Sequence, residues 1–246
     1  MQSLTALQII NRAATELGLQ VATEVAASTE VTGQQMLALL NSAGNDLVMA
    51  HTWSELNITY NFTTVDLQAS YPLPADYAYY IDQSMWNITS RWPVVGPLTP
   101  QEWQRLRAGL VKTVPRQLFR IQNKAVEIYP TPTIGDPLVV PANFTYQYIS
   151  SAWVTSGQDA NVKQDYVVSD ADVPILNSQL LIKALKVKMW NAKGLDTSML
   201  ITEYTELFNM LIGKDKGARV LSLSPRFGDI YISQSNLPDG NWAVGL

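Results

Sequence analysis

The sequence predicts an α+β fold: a helical bundle built from both ends of the chain, an antiparallel β domain inserted between its halves, and an extended C-terminal arm. Three observations predict it. Apolar residues recur at helical spacing near each end. Between Trp53 and about Val173 the period changes to two. The last stretch fits neither pattern. The predicted organisation is a bundle from residues 1–52 and 174–218, a β domain over 53–173 with one short helix at 99–109, and a docking arm over 219–246.

The first helix shows Leu7, Ile10, Ala14 and Leu17 on one stripe, and Gly18 is placed to stop it. The second runs from about Thr32 to Ala50, with Met36, Leu37, Leu40, Gly44, Leu47 and Val48 sharing a face. In the β region Leu56, Ile58, Tyr60 and Phe62 alternate with polar residues, as in a half-buried strand. A capping box with proline at the first helical position, Thr99-Pro100-Gln-Glu102, opens the short helix, and Gly109 ends it. Residues 117–121 and 124–129 read as a hairpin turning near Asn123. Residues 143–150 alternate Phe144, Tyr146, Tyr148 and Ser150 against Thr145, Gln147 and Ile149. Near the C-terminus, residues 177–193 carry Leu181, Ala184, Leu185, Met189 and Ala192 on one stripe, with Gly194 following. The last helix starts after Asp196, with Leu200, Tyr204, Leu207, Phe208 and Leu211 as its apolar face. Helices with one apolar stripe each are stable only when packed together.

Residues 219–246 are too apolar for a solvated tail and too rich in Gly, Pro, Ser and Asn for a helix. Their large side chains, Leu221, Leu223, Phe227, Ile230, Tyr231, Ile232, Leu237 and Trp242, yield roughly 1.5–3 kcal/mol each if fully buried. Ordering the backbone costs about 1–2 kcal/mol per residue, so the segment needs a surface to lie on. That surface is read as a partner's, the alternative being a final strand packed on the chain's own domain.

Only 15% of the residues are charged, well under the usual quarter, which suits a surface largely covered by other subunits. The net charge of −4 argues against a dedicated nucleic-acid binder. There is no cysteine, hence no disulfide and no thiolate metal site. The first residues lack the pattern of a signal peptide, and no apolar run approaches the ~20 residues that span a bilayer, so the reading is a soluble protein made in a cytoplasm. The Asn-x-Thr sequons at Asn57, Asn61, Asn87 and Asn143 then reflect only the frequency of Asn and Thr.

The common catalytic motifs are absent, and no cofactor is expected. The single histidine, His51, ends the second helix, where a capping or surface role is favoured. A Ser-His-Asp relay would have to be built on it, and no partners are apparent. Asp159-Ala-Asn161-Val-Lys163-Gln-Asp165 begins like a calcium loop, but Lys163 occupies a ligand position and the required glycine is missing. Asp76, Asp82 and Glu102 are candidate carboxylates for glycoside hydrolysis, which needs two across one cleft. Lys183, Lys186, Trp190 and Lys193 share a helix face that is either solvated or turned to passing DNA. Trp86, Trp92 and Trp103, with Trp53 and Trp153, are core residues or contacts between subunits.

Several motifs carry a family resemblance. They are Leu4-Thr-Ala-Leu-Gln-Ile-Ile-Asn-Arg-Ala13, Tyr71-Pro-Leu-Pro-Ala-Asp76, Arg91-Trp-Pro93 with Gly96-Pro-Leu-Thr-Pro-Gln-Glu-Trp103, Ile128-Tyr-Pro-Thr-Pro132, Asp172-Val-Pro-Ile-Leu and Ala192-Lys-Gly-Leu-Asp196. Together they resemble the head-to-tail adaptors of short-tailed bacteriophages, the group that includes tail tubular protein A, over about residues 4–211. The resemblance implies a virion protein that forms a ring, commonly of twelve subunits, under the portal. It implies that the β domain faces the tail nozzle, that the arm clamps the portal and that DNA leaves through the lumen, with no reaction catalysed. Two other classes stay open: a virion-associated peptidoglycan or glycan hydrolase, and a glycan-binding module.

Overall fold

The computed structural model describes residues 3–109, 117–133 and 141–215. They contain helices α1 (Ala6–Glu16), α2 (Val31–Ala50), α3 (Pro100–Ala108), α4 (Ser178–Ala192) and α5 (Ser198–Asp215). The strands are β1 (Asn57–Thr63), β2 (Ser70–Pro72), β3 (Tyr77–Tyr80), β4 (Trp86–Asn87), β5 (Trp92–Pro93), β6 (Leu118–Gln122), β7 (Ala125–Tyr129), β8 (Asn143–Ser150), β9 (Val154–Thr155), β10 (Lys163–Gln164) and β11 (Val173–Pro174). The fold is α+β.

Local chemistry sets the helix ends where the sequence places them. Thr5 and Gln8 cap α1 reciprocally, and Gly18 follows its end at φ +69°. Thr99 and Glu102 form the expected capping box on α3, with Pro100 at the first turn. The Asn177 side chain accepts from the N–H groups of Gln179 and Leu180 to start α4, and Gly194 at φ +69° follows that helix.

Two compact units result. The first comprises residues 3–57 and 149–215. Its middle helix is α4, which packs against α1, α2 and α5. Leu180, Leu181, Ile182, Leu185 and Met189 of α4 are buried with Ile9, Ile10, Met36, Leu40 and Leu47. Three lysines of α4 each meet a carboxylate on a different neighbour. Lys183 lies 3.5 Å from Glu203 of α5, Lys186 2.6 Å from Glu16 of α1, and Lys188 2.5 Å from Asp46 of α2.

Residues 149–173 belong to this helical unit, whereas the alternating pattern had extended the β domain to 173. The reason is packing. β9, β10 and β11 form only a small antiparallel sheet, and Trp153 beside it lies fully buried against Gly44 of α2. Its indole N–H donates to Asp165 O at 2.7 Å and Asn45 Oδ1 at 3.1 Å. The following loop is tied by carboxylates. Asp172 accepts from the N–H groups of Gly157, Val168 and Ser169, and Asp170 from those of Val25 and Ala26. A two-residue period reports local strand geometry, not which core the strand joins.

The second unit, residues 58–109, 117–133 and 141–148, holds the two larger sheets. One runs β1-β8-β4-β5 with β3 also on β8; the other runs β2-β7-β6. Phe144, Tyr146 and Tyr148 of β8 point into a core with Phe119, Val126 and Ile128, and the inward residues of β1, Ile58, Tyr60 and Phe62, pack on it. The β6–β7 hairpin pairs Gln122 with Ala125, leaving Asn123 and Lys124 as a two-residue turn. Their φ values, +51° and +55°, are those a type I′ turn requires. Tyr146 is enclosed by other tyrosines, and burial drives its hydroxyl far above the ordinary tyrosine value.

A Cβ on Gly44 would sit 2.2 Å from the Trp153 ring, so no methyl fits there. Helix propensity alone would make Gly44→Ala stabilising by about 1 kcal/mol. We expect the opposite, a net loss of about 1–3 kcal/mol from overpacking, measured by urea unfolding. Unchanged or raised stability would contradict this packing.

Candidate functional site

The histidine, a serine and an aspartate that the sequence left unconnected meet where α5 ends. α2 stops at Ala50, and His51 turns out of the helix in extended conformation as its C-cap. Its Nε2 lies 3.1 Å from Oδ2 of Asp215, the last residue of α5. The Ser54 hydroxyl donates to Oδ1 of the same carboxylate at 2.5 Å, and the Ser54 N–H donates to Oδ2 at 3.2 Å. The His51 ring stands edge-on to Trp53 at 4.8 Å, Trp53 in turn against Phe208 at 6.0 Å, and the Trp53 indole N–H donates to Leu47 O at 2.7 Å. His51 is therefore the cap that its position suggests, but a buried one rather than a surface one.

Composition alone would suggest a catalytic triad, and geometry rules that out. Nucleophilic catalysis needs the serine hydroxyl on the imidazole, so that the ring can take its proton. Here the carboxylate stands between the two, and serine and histidine both bond to it. The arrangement can hold α5 in place; it cannot activate Ser54.

The other candidate carboxylates do not face one another across a cleft in their described contacts. Glu102 accepts from the Thr99 N–H and the Thr99 hydroxyl, both at 2.8 Å, and these bonds hold its carboxyl below the usual range. A glycosidase acid needs the reverse shift. Asp76 accepts from the Tyr148 hydroxyl at 2.8 Å, and Asp82 is exposed in a turn. Asp159 accepts from the N–H of Asn161 within its own loop. Among the described residues, no group of three or more His, Cys, Asp or Glu is placed to hold a metal ion.

The tryptophans expected at interfaces separate. Trp86 on β4 is 37% exposed and available. Trp92 on β5 is half-buried, with its indole N–H enclosed and unpartnered. Trp103 is 4% exposed and takes the core reading, within its own unit. Arg120 lies over its ring at 4.5 Å and is itself paired with Glu127 at 2.6 Å. Leu67, Ile88 and Val95 of the same unit are exposed apolar residues that sequence reading passed over, since they lie outside any long periodic run.

The lysine face also needs correction. Lys186 is buried and paired with Glu16, so it does not face DNA. Lys183 reaches Glu203, and its ammonium also donates to Glu203 O at 3.3 Å. Lys193 alone of the three is exposed. A helix packed by three neighbours has no broad solvated side to offer. The predicted arm residues, Leu223, Phe227, Ile230, Tyr231, Ile232, Leu237 and Trp242, lie outside the described residues.

α5 itself is thinly covered. Of its expected stripe, Leu211 alone is buried; Leu200, Tyr204, Leu207 and Phe208 are half-buried. Met199 and Met210 are exposed. Among the described residues, no helix is long and apolar enough to cross a membrane. Among the described residues, the clasp at the end of α5 joins helix ends and does not bring a nucleophile onto its base. The model of the SU10 adaptor protein family matches residues 4–223, and the chain belongs to that family of phage head-to-tail adaptors. No curated protein matches the chain.

Glu55, beside the clasp, has its carboxyl pushed above the ordinary 4.5, first by burial and then by the negative charge of Asp215. A carboxyl raised on folding binds its proton more tightly in the folded state. Its contribution therefore favours folding at low pH and is lost as the pH rises through the folded value. Glu55→Gln should thus raise the Tm at pH 7, and the gain should fade as the pH falls through the raised folded value and be gone below the ordinary value of 4.5. A Tm difference independent of pH, or a loss at pH 7, would refute the effect.

Proposed function

We propose that this chain is one segment of a ring, commonly of twelve copies, seated between the portal and the tail nozzle of a phage, with DNA passing through the lumen. The observation that carries the reading is the family match over residues 4–223. The thin coverage of α5 and the charge-poor composition support it, because such surfaces are stable when other subunits cover them. The helical unit forms the ring wall and the β unit meets the nozzle. Trp86, with Trp92 beside it, contributes to that lower contact, and Lys193 is the lysine left to meet passing DNA.

Residues 219–246 dock on the portal. Most of them, 224–246, lie beyond the family match, and they carry Phe227, Ile230, Tyr231, Ile232, Leu237 and Trp242. Free in one subunit, they lack a surface that repays their ordering; on the portal they gain it, at reduced affinity per unit area. The free protein is then a monomer or a weak oligomer.

Deleting residues 219–246 should leave a folded protein that no longer binds the portal. Trp242→Ala alone should weaken binding about 10–30-fold, as expected for a buried aromatic anchor. Both can be read by biolayer interferometry against the isolated portal, with circular dichroism to confirm folding. A truncated chain that binds the portal with full affinity would end the docking role.

A further inference from the structure

We infer that α5 opens from the helical unit as one block, well before the rest of that unit unfolds, and that the carboxylate of Asp215 is the latch that keeps it closed. The inference is independent of the ring reading above.

The helices of this unit are unequally buried. α1 buries Ala6, Ile9, Ile10, Ala13 and Ala14 within 11 residues, and α4 buries eight of its 15. α5 is 18 residues long and buries Leu211 alone. Leu200, Tyr204, Leu207 and Phe208 are half-buried, and α4 is the helix on which α5 chiefly packs. Elements with little buried apolar surface open at a lower free energy than the core they lie on.

The polar ties of α5 fall at two places. Midway along it, Lys183 lies 3.5 Å from Glu203, a partly exposed pair of the kind that contributes little. At its end, three groups converge on one carboxylate. Asp215 accepts from the Ser54 hydroxyl and from the Ser54 N–H at 3.2 Å, and lies 3.1 Å from His51 Nε2. The His51 and Asp215 side chains are 5% and 14% exposed, so solvent screens their contact less than the Lys183 pair.

The other end is a hinge. In the connection, residues 193–197, the N–H groups of Gly194 and Leu195 donate to Asn191 O and Trp190 O of α4, and Gly194 stands at φ +69°. Asp196 accepts from the Ser198 N–H at 3.0 Å within its own turn. These bonds hold the connection to α4 and leave the rotation of α5 to a few residues. Opening at the latch uncovers Trp53, whose ring meets Phe208 at 6.0 Å. Because α5 is about 27 Å long, opening also shifts the point from which the chain continues beyond Asp215.

Amide hydrogen exchange on the full-length protein without portal tests this, because a helix of 18 residues is marginal once detached and its amides then exchange. The α5 amides should exchange together, about 100-fold or more faster than those of α4. Asp215→Ala should speed α5 about tenfold further and Ser54→Ala about threefold, with α4 unchanged in both. Ser54 is exposed, so its truncation leaves the core intact, and circular dichroism confirms folding. Exchange of α5 as slow as that of α4 would overturn the opening. Exchange graded inward from Asp215 would overturn its block character, being ordinary fraying. Variants that speed α4 and α5 equally, or neither, would overturn the latch.

Discussion

The helical unit depends on the burial of α4 among α1, α2 and α5. A central helix with apolar residues on most of its circumference supplies the greater part of the stabilisation, because each fully buried Leu, Ile or Met is worth roughly 1.5–3 kcal/mol. Its three lysines do something different. Pairs on the surface contribute about 0–1 kcal/mol, too little to hold helices together. Each pair, however, ties α4 to a different neighbour: Lys183 to α5, Lys186 to α1 and Lys188 to α2. Apolar stripes tolerate sliding; a lysine facing the wrong carboxylate does not. The bundle is stabilised by contact area and indexed by charge.

That use of charge has a consequence outside. A chain with few charged residues turns several of them toward its own neighbours, and apolar side chains such as Met199, Met210, Leu67 and Ile88 are left at the surface. In a free monomer this would be a liability. In the proposed ring, neighbouring subunits and partners would cover these side chains. The clasp of His51 and Ser54 on Asp215 anchors the last turn of α5 to the end of α2.

Much of this was legible in the sequence. The Thr99–Glu102 capping box, Pro100 at a first turn and glycines after helix ends act within a few residues, and the structure places α1, α3 and α4 as they indicate. The Asn123-Lys124 turn is equally local. What could not be read was tertiary choice. Trp153 looks like a strand residue, yet Gly44, 109 positions earlier, offers it a bed on α2. Lys186 looks like half of a solvated face, and Glu16 across the bundle claims it. His51, Ser54 and Asp215 meet only because α5 returns to the end of α2, and no spacing in the sequence encodes that return.

The proposed role requires that residues 219–246 take their shape on a neighbouring molecule. Amide hydrogen exchange on the full-length chain, alone and bound to its portal, tests this most directly. The prediction is rapid exchange over residues 219–246 in the isolated subunit and marked slowing in the complex, with α4 slow in both states. Full protection of those residues in a single free subunit, or no change on binding, would contradict it.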